Sequence, residues 1–461
     1  MNKIMNTVVF ALSEDNAREA IVRLQQEGYI HIVEWFGVDK GHGVITHDYG
    51  TLRNVDVLRE YYRICPKAIY DKVYQRLYTY LDMSYRADDS PLYELVNGFN
   101  LLVGYYYGLF SLKNVELLFF GDVPHFGVDS IAKDVADAMG IRTLLFDQMY
   151  QANRFFAFTD INDIGIYASV PNNGCSDVVL DGKVEKNLLL LTKEDRYGAE
   201  KHSSSILQLI SKVLKNWNQL PKKINEKIIA SGKTVYRRNE EEKYLKNMEK
   251  AAGKGEINLD VDYVYFPLHL QPEMTTSAFG KEFCDQILAI ERVSEMIPPT
   301  WRIYVKEYPI QSAYMRGDLF FKRLELLPKV QFIGGENNTY SSTYDLIKHS
   351  RFVATITGTA GWEAISGEKP ALVFGLAWYR KLPGVFEYAN NPKLEDILQC
   401  KINYKEVEAA YNCLMEKAYD GILECGWESQ VEDYSPAKNN ALLFSAFVRM
   451  IELIQKQEYK K

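Results

Sequence analysis

Glycines, threonines and one carboxylate crowd the stretch TITGTAGWEAISGEKPALVFG, residues 355–375, between two apolar runs. RFVATI reads as a strand, TGTAG as the turn that leaves it, WEAIS as a short helix and Gly367 as its stop. Such a turn presents backbone N–H groups and hydroxyls where the helix dipole favours an anion. Gly358 and Gly361 would let a phosphate approach the backbone, with Thr357 and Thr359 beside it. Glu363, one turn into the helix, would accept hydrogen bonds from a ribose or sugar hydroxyl. The alternative is a tight strand–helix turn in which Thr357 or Thr359 only caps, and spacing alone does not choose.

Two further strand ends belong to the same half. VKEYP (305–309) offers Lys306 to neutralise a phosphate, with Glu307 and Tyr308 beside it and Pro309 fixing the turn. FPLHLQPEMTT (266–276) brings His269, Gln271, Glu273 and two threonines to another strand end. Open α/β sheets bind ligands at that edge, so three such ends are stronger together than singly. Alone, Lys306 reads as a surface strand end and His269 as a structural histidine. In the N-terminal half, GDVPHFGVD (121–129) follows a strand and opens a helix. His125, with Asp122 or Asp129, is the candidate for removing a proton from an acceptor hydroxyl. The competing reading is a turn histidine and an N-capping Asp129. Glu14, Asp15 and His47 are weaker substitutes, and capping explains SEDN (13–16).

These segments need a sheet to hold them. TVVFAL (7–12), a helix beginning near Ser13 and stopping at Gly28, and YIHIVEWFG form a β-α-β unit, which implies a parallel sheet. Residues 52–110 read as helical and Tyr-rich. VELLFF and IRTLLF flank a helix with the apolar stripe Val128, Ile131, Ala132, Val135, Ala136 and Met139. A second set of units starts at DYVYFPLHL (262–270). It continues through a helix at 281–297, RIYVKEYP, KVQFIG and RFVATI, and ends at ALVFG. The expected fold is α/β, with two Rossmann-like domains facing each other across a cleft. The boundaries are 1–180 for an acceptor-side domain with a helical insertion, 181–255 for a charged helical linker, and 256–436 for a nucleotide-sugar-binding domain. Residues 437–461 are a C-terminal crossover helix.

With 461 residues the chain exceeds the about 250–300 at which single cores stop growing. A net charge of −7 argues against general nucleic-acid binding. Six cysteines without a CxxC pair point to a reducing cytosol. The N-terminus has too short an apolar stretch for a signal peptide, and no run approaches the about 20 apolar residues of a membrane span. HExxH, Cys/His zinc spacing, GxSxG and the P-loop pattern do not occur. The Asp-x-Asp at 260–262 precedes a strand in a charged stretch and does not read as a metal–nucleotide motif.

KEYP, together with YDLIKHSRFVATITGTAGWEAISGEKPALVFGLAWYRKLPGV, resembles the bacterial capsule polysaccharide biosynthesis glycosyltransferases, a group that includes Kdo transferases. The resemblance runs over about 262–390, extends more weakly to GDVPHFGVD, and does not cover 181–255 or the tail. It implies a GT-B fold whose C-terminal helix returns to the first domain. It also implies that Thr357, Gly358 and Thr359 contact the donor phosphate and that Glu363 holds a donor hydroxyl. His269, Glu273, Lys306, Glu307, Tyr308 and Pro309 complete the donor side. The family pattern has His-Pro where this chain has Tyr308-Pro309, a departure that bears on donor choice. CMP-Kdo is then one candidate donor among nucleotide-activated sugars.

The implied partners are the nucleotide sugar and a glycan or glycolipid acceptor, without nucleic acid, metal or separate cofactor. The implied place is the cytoplasm, at the inner face of the cytoplasmic membrane and near other capsule-assembly proteins. Rival readings are a nucleotide-sugar epimerase of the same shape and an inactive sugar-binding subunit of a capsule machine.

Overall fold

The structure is a computed structural model that describes residues 3–12, 15–37, 52, 55–85, 91–149, 153–172, 238–252, 257–309, 311, 313, 316–334, 343–424, 426–432 and 434–458. Most of the expected 181–255 linker, SEDN's first two residues and the THD at 46–48 lie outside these.

The N-terminal sheet joins β1 (Met5–Phe10), β2 (Ile30–Phe36), β3 (Leu117–Phe120) and β4 (Arg142–Gln148) in parallel, in the order β2-β1-β3-β4. β3 is LLFF with every residue buried, the uninterrupted apolar run that a parallel strand covered on both faces requires. One face packs on helices α1 (Asp15–Gln26) and Pro436–Glu458, through Ala17, Ile21, Leu24, Leu443 and Ile451. The other carries α2 (Leu77–Tyr85), α3 (Leu92–Leu112) and α4 (Val128–Met139). The C-terminal helix therefore returns to the first sheet, as expected. Phe447 meets Phe119 at 5.0 Å, and Gln455 donates to the Lys3 carbonyl at 2.7 Å. β5 (Arg154–Phe158) adds to β4 antiparallel, a strand that sequence reading did not expect.

The second sheet contains β6 (Tyr263–Pro267), β7 (Arg302–Lys306), β8 (Val330–Ile333), β9 (Phe352–Thr355), β10 (Ala371–Val373) and β11 (Val385–Glu387). All pairs are parallel and the order is β11-β10-β9-β6-β7-β8. Counted from its first strand this is 3-2-1-4-5-6, the doubly wound order, with its switch point between β6 and β9. The helix expected over 281–297 is interrupted. Lys281–Cys284 forms a 3₁₀ turn, Asp285 is extended, and α5 runs Gln286–Met296. A left-handed Lys281 (φ 52°) keeps an α-helix from starting there, and the extended Asp285 (ψ 90°) separates the turn from α5. Helices α6 (Thr343–His349) and α7 (Thr359–Ser366) flank β9.

The helical part of the linker, 238–252, is not simply solvated, because Tyr244 and Ala252 are buried in the C-terminal core. After Tyr404–Met415, a further unexpected helix, β12 (Tyr419–Asp420) pairs antiparallel with β5 and carries the chain back to the first sheet. Arg380 fastens the two halves, donating to the carbonyls of Ile164 (2.6 Å) and Asn162 while paired with Glu387. Among the described residues, no helix is long and apolar enough to cross a membrane.

Candidate functional site

The switch point is built from the ends of β6 and β9, and His269 ties them together. Its Nε2 meets Thr355 Oγ1 at 2.9 Å, and the same hydroxyl oxygen accepts the Gly358 N–H at 3.2 Å. Its backbone N–H donates to Gln286, and its carbonyl accepts from Gln286 and Arg316. Burial first, and the Arg316 charge second, hold the imidazole down at about 4, so the ring is neutral at working pH.

The glycines of the turn have an internal reason. A Cβ on Gly358 would lie 2.9 Å from the His269 ring, and one on Gly361 would lie 2.2 Å from Tyr379 Oη. Both spaces are filled by protein side chains, so each glycine makes room for the protein's own packing. Tyr379 donates its hydroxyl to the Gly358 carbonyl, and Thr357 donates to the Thr275 carbonyl at 2.8 Å. Thr359, half-buried, opens α7.

On the next strand, Lys306 is buried, with its ammonium 3.3 Å from Thr343 Oγ1 at the start of α6. Tyr265 lies beside Thr343 and Glu363, and burial raises its phenol above its ordinary range. Thr343 thus stands between Lys306 and Tyr265, and the Glu363 charge acts on Tyr265. Glu307 is turned inward, where it pairs with Arg316 at 3.0 Å, both essentially buried, and accepts the Tyr308 N–H at 2.9 Å. Glu273 opens the π-helical turn Met274–Ala278 in a reciprocal cap with Thr276. Tyr308 is half-buried and Pro309 exposed at the edge. Arg316, which reaches Glu307, Gln271 and His269, was not found by sequence reasoning, since nothing local in its segment marks it.

The N-terminal candidates meet at the end of β3. Asp129 is buried in the first turn of α4, whose N-cap is Gly127, and it accepts the N–H groups of Phe126 (2.9 Å) and His125 (3.3 Å), so it holds the preceding turn rather than capping the helix. The Asp122 carboxylate accepts the Val123 N–H at 2.6 Å and lies 3.8 Å from His125 Nδ1. That ring nitrogen is 2.8 Å from the Val123 carbonyl, which can only accept. Nδ1 therefore carries the proton, and the neutral ring keeps its lone pair on Nε2.

Two further carboxylates join them. Asp147, at the end of β4, accepts the Tyr167 hydroxyl at 2.8 Å. Glu424, on the segment returning after β12, accepts the Trp427 indole N–H at 3.0 Å and is set in place by the Leu423 N–H on Gln148 at 2.8 Å. Burial pushes Asp122 well above the ordinary carboxylate range, helped by the charges of Glu424, Asp147 and Asp129. Asp147 rises to about 6, from burial and then Glu424. Glu424 is raised by burial and lowered by Trp427 and His125. Sequence reading missed both groups, because 25 and about 300 residues separate them from Asp122.

A family profile described as capsule polysaccharide biosynthesis protein matches residues 213–401, beginning earlier than the motif resemblance. Among solved structures, the chain is similar to the β-Kdo 2,7 transferase of Thermosulfurimonas dismutans KpsC, with 10% identity over 95% of this chain and 99% of that one, at a TM-score of 0.35. The β-Kdo 2,4 transferase of the same protein gives 14% identity over 66% and 79%, with a TM-score of 0.30. The Neisseria meningitidis UDP-GlcNAc 2-epimerase bound to UDP-GlcNAc gives 12% over 90% and 100%, with a TM-score of 0.28. Likenesses this remote carry no argument about activity. No curated protein sequence matches. Over residues 213–401, which contain the whole second sheet and its switch point, the chain matches the capsule polysaccharide biosynthesis family, in agreement with the resemblance read from its motifs.

Proposed function

We propose that the chain is a glycosyltransferase that moves a sugar from a nucleotide-activated donor to a bacterial surface polysaccharide or glycolipid. The observation that carries this reading is the doubly wound second sheet. Its switch point bears the 357–359 turn and the start of α7, with Lys306 on Thr343 and the Glu363 charge against Tyr265. The donor phosphates lie against the first turn of α7, where the helix dipole and the Lys306 charge stabilise the departing phosphate without need of a metal. Glu363 accepts a donor hydroxyl.

In the other half, His125 Nε2 takes the proton of the acceptor hydroxyl as its oxygen bonds to the anomeric carbon and the bond to the donor phosphate breaks. The positive charge formed on the ring is met by Asp122 and Glu424, which otherwise repel each other. The reaction runs in the cytoplasm, at the inner face of the membrane, with CMP-Kdo as one candidate donor.

A thermal-shift screen of nucleotides and nucleotide sugars tests the reading. At least one nucleotide sugar should raise the melting temperature, and Lys306→Ala and Thr359→Ala should shrink that rise with the unliganded protein still folded. Stabilisation that survives unchanged in both variants rules the placement out.

A further inference from the structure

Helix α2 lies between the two halves, packed on α3 and α4 on one side and on Met274–Ala278 on the other. Its Asp82 is 4% exposed, and neither carboxylate oxygen has a hydrogen-bond partner among the described residues. The donors nearest to it are the Ser277 hydroxyl and the Gln271 amide of the C-terminal half. Ser277 Oγ is likewise unpartnered, on a residue only 2% exposed. Two buried polar groups thus face each other across the junction without bonding.

An ionised carboxylate so placed has only the Ser277 and Gln271 donors to set against its lost hydration, and burial outweighs them. A neutral carboxyl brings its own O–H and can close onto its neighbours. We propose that Asp82 is a positioning residue whose proton fastens the 271–284 segment onto α2 and whose ionisation loosens it. The contact reaches the switch point, because Gln271 is bonded to Gln286, which holds His269, and to Arg316.

The titratable groups set against Asp82 are Tyr78 on its own helix and Cys284 across the junction, with Asp285 beside Tyr78. α3 and α4 contribute Phe99 and Ser130 to this helix, which carry no charge. Burial pushes the Cys284 thiol up to about 12, so it stays neutral at working pH, as does the Tyr78 phenol, whose ordinary value already lies above that range. Burial also raises Asp82 above its ordinary 3.8. The sign follows: the fastened state is favoured in full below that value and loses its advantage as pH rises through the raised one.

Hydrogen–deuterium exchange on the full chain at pH 5 and pH 8, corrected for intrinsic rates, tests the proposal whatever reaction the protein performs. Protection of amides 274–280, relative to β3, should fall on going to pH 8 by roughly tenfold for each unit by which the closed-state carboxyl lies above pH 5. Asp82→Asn, a neutral isostere, should keep high protection at both pH values. Wild-type protection that does not change, or the same fall in Asp82→Asn, overturns the proposal. If that variant does not fold, Ser277→Ala should lower protection at pH 5 and leave pH 8 unchanged. Unaltered pH 5 protection there also overturns it.

Discussion

The two sheets present the same kind of edge, yet treat their polar groups in opposite ways. At the second sheet nearly every polar group is answered from within: Glu307 by Arg316, His269 by Thr355 and Gln286, Thr357 by the Thr275 carbonyl. At the first sheet, Asp122 and Glu424 lie by His125 and Asp147 lies by those two carboxyls, with burial raising each of the three. Compensated groups suit a rigid frame for binding, whereas carboxyls that burial and one another raise above their ordinary range suit a place where protons move. The same fold thus supports two kinds of chemistry through the partners it supplies.

The largest effect should come from breaking the compensation. Glu307→Ala leaves the Arg316 guanidinium buried without its counter-ion, which typically costs about 3–5 kcal/mol. Thermal or urea unfolding should show this loss, and a variant as stable as the parent would remove the pair from the frame.

A smaller effect separates the first sheet by pH. Asp147 moves from 3.8 to about 6, so its burial is tolerated in full below pH 3.8 and penalised progressively up to about pH 6. A shift of this size corresponds to on the order of 2–3 kcal/mol. Asp147→Asn keeps an acceptor for Tyr167 and should flatten the decline in stability between pH 4 and 7. A pH–stability curve that matches the parent would contradict this assignment.

The smallest effect sharpens the reading of the turn. Gly361→Ala places a methyl carbon 2.2 Å from Tyr379 Oη, and overpacking of this kind costs about 1–3 kcal/mol. The loss should appear in the unliganded protein. Stability equal to the parent's, with weakened ligand binding alone, would return Gly361 to the role of making room for a phosphate.

Much of this architecture was legible because parallel strands buried on both faces read as unbroken apolar runs, as in LLFF and FVAT. The tail helix announced itself by its amphipathic stripe and does cover the first sheet. The short antiparallel strands β5 and β12 had no such signal, since their pairing partners lie in another segment of the chain. Lys306 and Glu363 were legible as polar groups at strand and helix ends, and the fold sets Lys306 on Thr343 and the Glu363 charge against Tyr265. Arg316, Asp147 and Glu424 escaped notice, because only the fold brings them to the residues they act on. The glycines at 358 and 361 suited a phosphate turn equally well in the sequence, and the side chains occupying their space come from β6's end and the 376–382 segment.

The division of labour between the halves is the central claim, and one paired measurement reaches it directly: donor affinity by calorimetry and sugar transfer to an added glycan, for Lys306→Ala and His125→Ala side by side. Lys306→Ala should weaken donor binding, while His125→Ala should bind donor like the parent and lose about 10²–10⁴ in transfer rate, the usual contribution of a general base. Donor binding intact in Lys306→Ala, or transfer by His125→Ala within a few-fold of the parent, would contradict it.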